Sequence, residues 1–148
     1  EDADIVANFL RFPAMAGCSI TVSIWWAVLV PLIDHLLSKD TNPTSRELFW
    51  KWNLSPMLIN VHLLNLPIVG IEFLVTGSRL SFFDLWMALA VALCYCLFYL
   101  NVLDPRGLHF YIILTPRTAW SIFSYILILS SYYGFYLAWN HALTWYGA

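Results

Sequence analysis

Four long apolar runs separated by short polar breaks dominate the chain, and nearly all of its structure follows from them. The runs cover about 12–33, 54–75, 83–103 and 119–139, each close to the ~20 residues a helix needs to cross a hydrocarbon core of roughly 30 Å. Neither strict alternation nor a soluble amphipathic period runs through them, so the expected fold is all-α, an integral membrane bundle of four transmembrane helices in one domain.

The breaks are as informative as the runs. Between the first two, Pro43 precedes Thr44-Ser45-Arg46-Glu47, which reads as a capping box, and Phe49, Trp50 and Trp52 follow. This pattern predicts a short interfacial helix over 44–53 with its aromatics at headgroup depth. Ser55-Pro56 suits a helix start, because proline at the first helical position loses no hydrogen bond. Pro67 falls inside the second run and predicts a kink with a freed acceptor at the carbonyl of Leu63. Asp104-Pro105-Arg106-Gly107 is a strong breaker, and the apolar stretch 108–114 after it is too short to cross, so it should lie along the interface.

Composition supports a lipid solvent: of 148 residues, 61% are hydrophobic and only 11% charged, less than half the usual charged share of a soluble domain. The seven Lys and Arg residues are scattered singly, which excludes the basic stripe of a nucleic-acid binder. Lys39, Arg46, Lys51, Arg106 and Arg117 fall on one side of the expected topology, with Arg11 and Arg79 on the other. The positive-inside rule then places both termini on the trans side. Glu1 in place of a start methionine leads to the expectation of a removed targeting segment or of further sequence upstream. Cys18, Cys94 and Cys96 lie in apolar runs without disulfide or zinc spacing.

Polar residues at membrane depth are the candidate chemistry. His62, Asn65 and Glu72, at about 100° per residue, fall within roughly an 80° arc of the second helix. Such groups face a bundle interior or a watery cavity, so they form the expected buried polar face. Glu72 lies near the end of its span, where snorkelling toward Arg79 or Arg11 would make it an anchor. His35 and His141 lie at span ends, and no histidine pair has metal spacing, so no metal and no cofactor are expected. Thr21, Ser23, Ser130 and Ser131 are hydroxyls at membrane depth, and they should bond back to their own helices. In the first helix, Ala14, Gly17 and Thr21 form a small-residue face open to close helix packing. The eight tryptophans mostly cluster near span ends, as an aromatic belt does.

Phe12-Pro13 opening a span that ends in Trp25-Trp26, then Val61-His62-Leu63-Leu64-Asn65 followed by Glu72, then His109-Phe110-Tyr111-Ile112 before Thr115-Pro116, together resemble the androgen-induced protein and rolling stone superfamily. The resemblance covers about two thirds of the chain. It implies intramembrane hydrolysis of lipid esters, with a threonine nucleophile on an earlier helix and a histidine corresponding to His62. That earlier helix has no counterpart in these 148 residues, and a base without a hydroxyl in reach has nothing to activate. The leading expectation is therefore a non-catalytic accessory or structural subunit of a larger membrane assembly, such as an organellar respiratory or photosynthetic complex. Its partners would be membrane lipids and neighbouring subunits, in an organellar inner or thylakoid membrane, with the endoplasmic reticulum or plasma membrane as alternatives. The alternative function is the lipid-ester hydrolase, with His62 as base and Thr21 or a residue outside this sequence as nucleophile.

Overall fold

Backbone polar groups in lipid must be satisfied within the segment that carries them, which favours long continuous helices. In the computed structural model, which describes residues 2–40, 42–108 and 120–146, helices supply nearly all of the structure and no strand occurs among those residues. The elements are α1 (Asp2–Ile24), α2 (Val30–Leu37), α3 (Pro43–Asn53), α4 (Pro56–Ile59), α5 (Asn65–Thr76), α6 (Phe82–Phe98) and α7 (Trp120–Trp145). Three π-helical turns join some of them: Trp25–Leu29, Asn60–Leu64 and Tyr99–Leu103. Among the described residues, four helical stretches are long and apolar enough to cross a membrane: Val6–Ser38, Pro56–Thr76, Phe82–Arg106 and Ser121–Trp145. The chain is thus an all-α, multi-pass membrane protein. The expected interfacial stretch 108–114, and His109 with it, lies outside the described residues apart from Leu108.

Each π turn is explained by a proline just beyond it. Pro31, Pro67 and Pro105 have no N–H to close an α turn onto the carbonyls of Ala27, Leu63 and Asn101. Those carbonyls fall inside Trp25–Leu29, Asn60–Leu64 and Tyr99–Leu103 respectively. The kink expected at Pro67 therefore takes the form of a local unwinding, and Pro31 and Pro105 repeat it. Pro13, inside α1, carries no such turn, and nothing in the structure explains the difference.

Contacts divide the chain into two compact units, Glu1–Ala16 with Gly77–Ala148, and Gly17–Thr76. In the first, Phe12, Met15, Leu85, Ala88, Tyr99 and Leu143 are buried. Phe12 meets Tyr136 edge-on at 5.9 Å, and Phe9 meets Phe83 at 5.8 Å. Arg11 donates to the hydroxyl of Ser78 and to its carbonyl. Asp84 starts α6 by accepting from the backbone N–H and hydroxyl of Ser81, both at 2.7 Å, a favourable place for a carboxylate on the helix dipole. Gly107, at φ 74°, closes the Asp104–Arg106 turn in the left-handed region, which glycine enters without a steric cost.

The fourth helix runs six residues past the expected end at 139. Asn140 does not terminate it: its Oδ1 accepts from the Leu80 N–H at 3.1 Å and its Nδ2 donates to the Leu80 carbonyl at 3.4 Å. A polar residue that looks like a boundary is spent on pairing the exposed backbone of the turn before α6.

In the second unit, α3 begins one residue earlier than expected. Asn42, not Thr44, is the cap, its Oδ1 accepting from the Thr44 N–H at 3.1 Å. Proline is preorganised for the first helical position, so Pro43 takes that place and the capping role passes to the residue before it. Arg46 of α3 grips Asp34 of α2 with two bonds of 2.7 Å, and the Trp50 indole adds a third at 2.7 Å. The carboxylate raises the Arg46 guanidinium above its already high ordinary value.

Candidate functional site

The two π turns of the second unit carry its most unusual side chains. Trp25 and Trp26 open the first turn, and His62 lies in the second. The imidazole of His62 stacks on the Trp25 indole with ring centroids 4.1 Å apart and planes inclined by 7°. Trp25 meanwhile donates through Nε1 to Asn53 Oδ1 at 2.8 Å, and Trp52 meets it edge-on at 6.0 Å. Trp26 donates to the backbone carbonyl of His62, also at 2.8 Å. A wide turn closed at that carbonyl would need an N–H from residue 67, which is proline, so the indole supplies a donor that the chain itself lacks.

Two polar atoms of this cluster have no hydrogen-bond partner among the described residues although both are buried, His62 Nδ1 and Asn53 Nδ2. Asn53 is 0% exposed. An unpaired buried amide or imidazole nitrogen costs about 1–3 kcal/mol, so two beside one indole make this cluster the candidate site. The Asn53 amide is a donor and the imidazole edge donates or accepts according to its tautomer, so the pair suits a polar group such as a carbonyl or a hydroxyl.

The sequence-predicted residues part company here. His62 and Asn65 are half-buried and Glu72 is exposed within the chain. Asn65 Nδ2 turns back to the Val61 carbonyl at 3.4 Å. The turn at Asn60–Leu64 interrupts the regular 100° step between His62 and Asn65, on which the shared-face reading depends. Among the described residues no hydroxyl, those of Thr21 and Ser23 included, hydrogen-bonds to His62 Nδ1. Among the hydroxyls, Ser131 bonds back to the Leu127 carbonyl at 2.7 Å as expected. His35 lies in the last turn of α2 and His141 is exposed beside Trp145, at 6.2 Å between centroids. Asn53 and Trp25 were not singled out by sequence as site residues, since an asparagine at a helix end and a tryptophan at a span end are each ordinary.

No protein-family model, curated protein or solved structure matches the chain.

Proposed function

We propose that the chain is a non-catalytic accessory subunit that works by lateral association within a larger membrane assembly, in an organellar inner or thylakoid membrane. One observation carries the reading: the helices leave small residues uncovered at membrane depth. A Cβ added at Gly17 or at Gly134 would meet nothing within 4 Å, Ala14 and Ser130 beside them on the same helices are exposed, and only 11–22% of the four span windows is buried. Small residues spaced three or four apart let a neighbouring helix approach closely, which lipid tails do not require. The test is the mass of the particle extracted from its own membrane in a mild detergent. A defined hetero-oligomer well above 17.1 kDa that Gly17→Leu or Gly134→Leu breaks up supports the reading. A monomer, or an oligomer of this chain alone, overturns it.

A lipid-ester hydrolase is the second reading, favoured by the buried, unpaired His62 Nδ1 beside the unpaired Asn53 amide. A general base requires such an imidazole edge, and its nucleophile would have to come from outside the described residues. Release of fatty acid from a long-chain ester by membranes holding the chain, abolished by His62→Ala and retained in Asn65→Ala, would establish it. Absence of release from the wild type would dismiss it.

A further inference from the structure

We propose that the groove at the end of the first span is a binding site for the headgroup of a zwitterionic glycerophospholipid. The groove has a volume of about 1000 Å³ and is walled by the end of α2 and by α3, with Asp40, Arg46, Glu47, Trp50, Lys51 and Leu54 among its lining residues. That is the upper end of the roughly 300–1,000 Å³ typical of small-ligand pockets.

Its depth follows from the chain. The first apolar stretch ends at Ser38 and the second begins at Pro56, so the lining residues lie where the chain has just left the hydrocarbon and is about to re-enter it. Phospholipid headgroups occupy that layer, and the Trp50 ring lines the groove there while its N–H is spent on Asp34.

Charge selects the headgroup. Arg46 Nε and Nη2 are committed to Asp34, which lies outside the groove and balances that cation. Among the described residues lining the groove, Lys51 is left as the uncommitted positive group, with Nη1 of Arg46 as a further donor. Against them stand two exposed carboxylates, Asp40 and Glu47, of which Asp40 gives one oxygen to the Asn42 N–H at 3.2 Å. A purely anionic headgroup would meet two carboxylates with one free cation. A phosphate joined to an ammonium satisfies both sets, with phosphate on Lys51 and Arg46, ammonium on Asp40 and Glu47, and the apolar surface of Leu37 and Leu54 under the glycerol.

The full chain is placed in nanodiscs of equimolar phosphatidylcholine and phosphatidylglycerol, and the lipid retained on release is weighed by native mass spectrometry. Phosphatidylcholine retained over phosphatidylglycerol by about fivefold, the scale of one exposed charge contact, is the expected result. The double variant Asp40→Lys, Glu47→Lys should reverse the preference, and Lys51→Glu should reduce phosphatidylcholine retention. Equal retention or a phosphatidylglycerol preference in the wild type overturns the proposal, as does an unchanged preference in the double variant. Binding of soluble phosphocholine with no retention of phosphatidylcholine also overturns it, by showing a site for a free ligand. Should a variant fail to insert, the wild-type ratio decides alone.

Discussion

Three indole N–H groups of the second unit, on Trp25, Trp26 and Trp50, each reach a partner on another helical segment at 2.7–2.8 Å. In a membrane the apolar attraction between helices is weak, because lipid is as good a solvent for leucine as another helix is, so such polar ties weigh more in setting which helices touch. Phenylalanine in place of Trp25 or Trp26 keeps the ring and deletes the donor. Each change should destabilise the chain by about 1 kcal/mol, read as a lower midpoint of denaturation in mixed micelles. If both midpoints stay at the wild-type value, the indole bonds contribute nothing. The Asp34–Arg46 link should be insensitive to alkaline pH: a group whose folded pKa is raised loses its contribution only as pH passes that raised value, which for Arg46 lies beyond any working range. Sequence reading placed these tryptophans near span ends and took them for an interfacial belt. What it lacked was the partner of each ring, since Asn53 stands 28 residues from Trp25 and only tertiary packing brings the two together.

At the scale of elements, prolines govern the helices, and much of this was legible because the rule is local. A missing N–H at Pro67 had to disturb the carbonyl four residues back, and the structure answers with a π turn over Asn60–Leu64. The consequence for the site was not legible: unwinding changes the step angle, so a helical wheel drawn with one step does not give the angle between His62 and Asn65. The same turn presents His62 to Trp25. Replacing Pro67 with alanine restores the N–H and lets α4 and α5 fuse into one regular helix, rotating His62 relative to the residues beyond it. A double-mutant cycle between Trp25→Leu and His62→Leu reads the contact directly. It should give about 1 kcal/mol of coupling in the native background, as for a stacked aromatic pair, and close to none in Pro67→Ala. Equal coupling in both backgrounds would separate the proline from the stacking.

At the scale of the whole molecule, hydropathy and length made legible the four helices that, among the described residues, are long and apolar enough to cross a membrane, because insertion in lipid depends on segment length and apolar content before any packing is chosen. The ends were less legible, since a polar residue near a boundary can be used inward, as Asn140 is on the Leu80 backbone. If the apolar stretch Pro56–Thr76 crosses once, the 39–55 segment and the 77–81 turn are expected on opposite faces of the bilayer. The distribution of Lys39, Arg46, Lys51, Arg106 and Arg117 against Arg11 and Arg79 along the sequence then predicts that the first of these faces is the cytoplasmic or organelle-interior side. In a background with Cys18, Cys94 and Cys96 replaced by serine, a single cysteine is placed at Ser45 or at Ser78, and sealed vesicles of known orientation are treated with a membrane-impermeant maleimide. Cysteine at Ser78 should label from the trans side only, and cysteine at Ser45 only after the vesicles are opened. Labelling of both from one side would mean that one apolar stretch between them does not cross, and the reversed pattern would mean that the basic loops do not set the orientation.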